Sequence, residues 1–168
     1  MRVGTRQSRG FTLIEAAMTT AIIGIAFVSV LELFTACTKQ NKVAASSTVA
    51  MMLAQHIQES LVSLPFTDPN PLSATFGAET GETLATFDDV DDFNGMTFNP
   101  PIDAGRTEIE GLDQYSQVIT VTNANPARPS ATGTAGSAVR VRVVVTYQAN
   151  AAAPVEQVYS YSWLTMNQ

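Results

Sequence analysis

The chain has almost none of the two residue types that build most metal and nucleophile sites. Its 168 residues include one cysteine, Cys37, and one histidine, His56. A single cysteine excludes an intramolecular disulfide framework and a cysteine-rich zinc site. A single histidine leaves little room for histidine-based metal or catalytic chemistry. Charge is also scarce, at 14% of residues against about 25% in an ordinary soluble domain. The positive sign is the scarcer, with nine basic residues to fifteen acidic ones and a formal net charge of −6. That balance argues against a general nucleic-acid binder, which needs clustered Lys and Arg to meet phosphates. No G-x-S-x-G, H-E-x-x-H or phosphate-binding glycine loop occurs, so we expect neither an enzyme nor a cofactor. Apolar residues, in contrast, make up 45% of the chain. That excludes wholesale disorder, and the length suits one domain.

The missing charge is concentrated near the N-terminus. Residues 1–10 are short, polar and basic, with Arg2, Arg6 and Arg9. Phe11 to Leu31 then carries Glu15 as its only ionisable group, and none lies between Glu15 and Glu32. As a helix at about 1.5 Å per residue, this run spans roughly 30 Å, the hydrocarbon thickness of a bilayer. The three arginines predict a cytoplasmic N-terminal end and a C-terminal domain outside the cytoplasm. Glu15 is the anomaly, because a carboxylate in an apolar helix costs a few kcal/mol to insert. It could snorkel to the interface. Alternatively, a cut between Gly10 and Phe11 would create an ammonium four residues before Glu15, and that ammonium could pair with the carboxylate of an adjacent subunit.

Gly10-Phe11-Thr12-Leu13-Ile14-Glu15, after a basic leader and before an apolar helix, resembles the prepilin-peptidase site of type IV pilins and pseudopilins. The resemblance implies peptidase cleavage after Gly10, N-methylation at Phe11, and a role for Glu15 in subunit assembly. It also implies an inner-membrane precursor, in contact with lipid, that later joins a pilus or a periplasmic pseudopilus. The partners it implies are prepilin peptidase, other pilin or pseudopilin subunits and the inner-membrane assembly platform. Two other processing readings fit less well. No A-x-A-like signal-peptidase site follows the apolar run. Leu33 to Cys37 resembles a lipoprotein signal only loosely, since Phe34 suits that motif poorly and Glu32 interrupts the run. We read Cys37 as a small residue on a helix face.

Neither glycine nor proline interrupts residues 25–64, so the helix should continue past the membrane. Val49, Leu53, Ile57, Leu61 and Leu64 form one apolar stripe at four-and-three spacing, and Pro65 should end the helix. Met51 and Met52 read as core filler, and His56 as a partly buried packing residue. Residues 65–111, with five prolines, read as a long irregular connection with at most short strands. Asp88, Asp89, Asp91 and Asp92 lie within it. Their carboxylates suit Ca²⁺ by donor type, but the spacing departs from the EF-hand pattern. We therefore read them as weak calcium candidates and as a solvated turn whose carboxylates cap backbone amides. This D-D-V-D-D-F-x-G stretch, ahead of a Pro-Pro pair, also resembles a segment of some minor pilin-like proteins.

The last third alternates with period two. Tyr115, Gln117, Ile119 and Val121 share one face, as do Val139, Val141, Val143, Val145 and Tyr147, with Arg140 and Arg142 opposite. Val155, Tyr159, Tyr161 and Trp163 share another. This pattern predicts an antiparallel sheet with one buried face. The last two strands should form a hairpin through residues 148–154, and residues 123–137 an exposed loop. The expected class is α+β, a long N-terminal helix packed on a small antiparallel sheet in a pilin-like arrangement. We divide the chain into a leader (1–10), a membrane and assembly half of the helix (11–34), an amphipathic half (35–64) and a loop-rich β domain (65–168). The membrane helix lacks the kinking proline often seen in the family's major pilins, which favours a minor subunit. The competing functional reading is an anchored binding module or adhesin acting through its loops.

Overall fold

Thr12 opens the first element. Its Oγ1 accepts the Glu15 amide at 3.3 Å and its carbonyl accepts the Ala16 amide at 3.1 Å, which makes it an N-cap. From there α1 runs unbroken over Leu13–Val62, 50 residues, in a computed structural model that describes residues 10–65, 68–69, 75–133 and 138–166. Arg2, Arg6 and Arg9 lie outside the described residues. The helix stops three residues before Pro65, whose ring disfavours helical backbone in the residue before it.

The chain divides into two compact units at Ala44/Ala45, and α1 contributes to both. In the first unit every described residue is exposed. Its large apolar side chains, Phe27 and Ile22 among them, are about half accessible or more. In the second unit α1 becomes one-sided: Ala50, Leu53, Ala54, Ile57 and Leu61 are buried, and Val49 and Leu64 pack at the margin. The expected stripe is therefore present, widened by small residues that let the helix lie close to its neighbours. Met51 and Met52, expected as filler, instead sit on the exposed side at 45% and 40% accessibility. They fall a third of a turn or more off the stripe, and the stripe itself fills the core.

Five strands follow: β1 (Thr97–Phe98), β2 (Tyr115–Asn125), β3 (Arg128–Thr132), β4 (Ala138–Tyr147) and β5 (Glu156–Met166). They pair antiparallel in the order β1-β2-β4-β5, with β3 also on β2. Register follows the period-two pattern. Ile119 pairs with Val143 and Val121 with Val141, while Val143 pairs with Tyr161 and Val141 with Trp163. Direct pairing puts Tyr159, Tyr161 and Trp163 on the same face as the β4 valines, and the register shifts only beyond them, near Val145/Thr146. That face and the buried stripe of α1 form one core, so the fold is α+β in a pilin-like arrangement.

Residues 123–137 were expected to be a loop. Instead β2 continues to Asn125 and turns into β3 through an Asn125 side chain that accepts the Ala127 amide at 2.9 Å. Asn at such a turn bonds its own backbone two residues on, and the strand beyond it has no apolar alternation to reveal it.

Residues 75–113 are irregular, as expected, with a 3₁₀ turn at Asp91–Phe93, β1 and one bridge between Ile102 and Glu108. They are not peripheral. Phe87, Val90, Phe93 and Ile102 are buried in the core, and the Phe93 ring meets Phe87 edge-on at 5.2 Å. Gln117, wholly buried, pins this segment to α1. Its Oε1 accepts the Ile102 amide at 2.8 Å, and its Nε2 donates to the Leu53 carbonyl at 2.9 Å and the Ile102 carbonyl at 3.0 Å.

Candidate functional site

Two places carry the residues singled out by sequence. The first is the start of α1. Gly10 and Phe11 lie in exposed, non-helical chain, and Glu15 is exposed in the first helical turn. The cap on the Glu15 amide uses its backbone, so the carboxylate of Glu15 has no part in that bond. Farther along, the hydroxyls of Thr19, Thr20, Ser29, Thr35 and Thr38 each donate to the carbonyl four residues back, at 2.7–3.0 Å. Each polar group is thereby satisfied within the helix, as a hydrocarbon surrounding would require. The helix is long and apolar enough to cross a membrane. Cys37 is exposed on it.

The second place is the acidic loop, where burial overturns the expected solvated turn. Asp88 is exposed, but Asp89, Asp91 and Asp92 are buried. The expected capping is present. Asp89 Oδ1 accepts the amides of Asp91 and Asp92 at 2.9 and 3.2 Å. Asp92 Oδ2 accepts those of Asp88 and Asp89 at 2.9 and 3.2 Å, and Asp91 Oδ2 takes the Gly77 amide at 2.8 Å. Desolvation pushes the Asp89 carboxyl up to about 8, helped by its hydrogen bond to Asp91 and the charges of Asp91 and Asp92. Desolvation also raises Asp92, against the pull of the Asp89 and Asp88 amides.

Asp92 also meets carboxylates from outside the aspartate run. Its oxygen and those of Glu79 and Glu82 lie within 4.8 Å of one another. Hydrogen bonding from the Thr75 backbone holds Glu79 below the usual range. Glu82 receives the Glu79 amide at 2.9 Å, which lowers it, yet desolvation and its acidic neighbours raise it on balance. By donor type these three suit a hard cation. However, Ca²⁺ takes about six to eight oxygens, and Asp92 already serves two amides.

Set against family models, curated proteins and solved structures, the chain matches none. The likeness to pilins therefore stands on the N-terminal residues and on the arrangement of helix and sheet.

Sequence reasoning missed Arg106. Its backbone has φ 64, a region costly for a non-glycine residue. Its guanidinium donates to the carbonyls of Leu84 at 2.9 Å and Phe87 at 2.8 Å and sits 5.3 Å over the Phe93 ring. It closes the acidic loop from outside. A lone arginine in an aperiodic stretch carries no sequence signal of such a role. His56 is half-buried as expected, and its Nδ1 has no hydrogen-bond partner.

Proposed function

We propose that this chain is a minor pilin or pseudopilin, a structural subunit of a type IV pilus or type II secretion-type filament. It is made as a prepilin, cleaved by prepilin peptidase between Gly10 and Phe11, methylated at Phe11, and held in the inner membrane by residues 11–34 until assembly. The observation that carries the reading is the position of that peptide bond. It lies in exposed, non-helical chain two residues before α1 begins, where a peptidase can reach it without unwinding a helix. The uncovered apolar surface of the first unit supports the same reading, since lipid or neighbouring subunits must cover it. In the filament Glu15 pairs with the new ammonium of an adjacent Phe11, neutralising both charges in apolar surroundings.

Two measurements test this. Intact mass and N-terminal sequencing of the protein from its native membrane should find a chain that starts at Phe11 with one added methyl group. A chain starting at Met1 or at a lipidated Cys37 would refute the processing. Glu15→Ala should leave folding and cleavage unchanged, because the cap uses only the residue 15 backbone, and should impair incorporation into filaments. Assembly as efficient as the parent's would refute the charge pair. A binding module acting through its loops would tolerate that substitution without loss.

A further inference from the structure

The two edges of the sheet differ. At one edge β1 is only two residues long, and the irregular segment around it turns its apolar side chains in to the core. The other edge is β5, 11 residues long, which pairs with β4 on one side and with no described strand on the other. Its outer N–H and C=O groups form a row open to another strand. Open edges are usually blunted by lysine, proline, a bulge or shortness. β5 has neither lysine nor proline, and its one charged residue, Glu156, stands at its start. The register shift lies near Val145/Thr146, so residues 159–166 run regularly against residues 138–145.

Along this edge the core is not fully covered. Val141, Val143 and Val145 of β4 are wholly buried, but their β5 partners Trp163, Tyr161 and Tyr159 are only half-buried. A groove of about 460 Å³ lies between the C-terminal end of α1 and the end of β5, with Leu61, Val62, Trp163 and Met166 in its walls. It touches four consecutive residues of β5, 163–166. Side chains alternate between faces along a strand, so a groove that meets all four opens at the margin of the sheet. Val62 is 80% exposed and Met166 56%, apolar surface with no cover among the described residues. An unpaired edge beside an apolar groove suits an added strand, whose backbone pairs with the edge while an alternate side chain fills the groove.

Charge selects the occupant. Residues 45–168 hold four basic side chains against thirteen acidic ones. Near the groove, α1 beyond Ala54 and the whole of β5 carry Glu59 and Glu156 and neither lysine nor arginine. A second copy of the chain would bring the same sign of charge and be repelled at long range. We infer that β5 takes up, as an added strand, an extended segment of a different protein with basic residues between apolar ones, one apolar side chain filling the groove. The site lies wholly in the second unit and does not depend on the pilin reading.

The test uses the full chain in nanodiscs of zwitterionic lipid, so that no free detergent enters the groove. Trp163 is the only tryptophan and lines the groove, so its fluorescence reports occupancy. The probe is a capped peptide of about ten residues, the length of a strand, alternating lysine with valine. Titration should shift the Trp163 emission to the blue and saturate. The same peptide methylated on its central backbone amides, along both edges, keeps its charge and side chains but cannot pair, and should not bind. Glutamate in place of lysine should weaken binding about tenfold or more. Val62→Asp/Met166→Asp, at two exposed positions, should keep the parent's circular dichroism and weaken the lysine peptide about tenfold or more, although its added charge attracts that peptide. Equal binding by the methylated peptide or by the variant would reduce the contact to attraction between opposite charges and overturn the inference. An emission unmoved by the lysine peptide at about 1 mM would overturn it too. So would self-association of the parent that Val62→Asp/Met166→Asp abolishes, since a second copy would then fill the groove.

Discussion

Asp89 illustrates how a residue's surroundings change its chemistry. In an unfolded chain its carboxyl titrates near 3.9; desolvation in the folded loop moves it to about 8. Between those values the folded chain holds a proton that the unfolded chain has released. Its contribution to stability is therefore complete below about pH 4 and is lost as pH rises through about 8. Asp89→Asn keeps an oxygen for the Asp91 and Asp92 amides and removes the charge. Thermal melts across pH 5–8 should show a flatter loss of stability, with a gain of about 1 kcal/mol at pH 8; an unchanged slope would show that the Asp89 carboxyl is not raised in the folded chain. Gln117 makes the opposite case, a neutral polar side chain fully buried because each of its groups is used. Gln117→Leu leaves the buried Ile102 amide without its acceptor, and we expect a loss of about 1–3 kcal/mol in denaturant unfolding.

Among the elements, the irregular segment before β2 is held by contacts instead of by a ladder. Its 3₁₀ turn, its phenylalanines and Gly95, whose φ of 78 suits a residue without Cβ, depend on Arg106 to close the loop. Arg106→Ala removes two hydrogen bonds to carbonyls and the contact over Phe93. It should cost about 2–3 kcal/mol and open residues 84–93 to limited proteolysis. Equal resistance of variant and parent would show that the phenylalanine cluster holds the loop alone. α1 behaves differently. In its first part five hydroxyls donate to carbonyls of the helix itself.

For the molecule as a whole, the acidic loop reads as a structural closure rather than a cation store. One oxygen of each of Asp89, Asp91 and Asp92 is committed to backbone amides, and Glu79 and Glu82 add too few donors for calcium's usual shell. A chelator should leave the melting temperature of the full chain where it is. A rise on adding calcium, reversed by chelator, would show that Glu79, Glu82 and Asp92 rearrange to bind it.

Periodicity alone determined the long helix, its buried stripe and the main strands, because a repeat of 3.6 or 2 states which side chains share a face. The N-terminal resemblance is likewise read from neighbours in the chain, a basic stretch, a glycine, a carboxylate and an apolar run. Tertiary structure alone decided the burial of Asp89, Asp91 and Asp92 and the closure by Arg106. The physical reason is the same in each case. These outcomes depend on which aperiodic residues meet across long separations, such as Gln117 with Leu53, and a local pattern contains no record of that meeting.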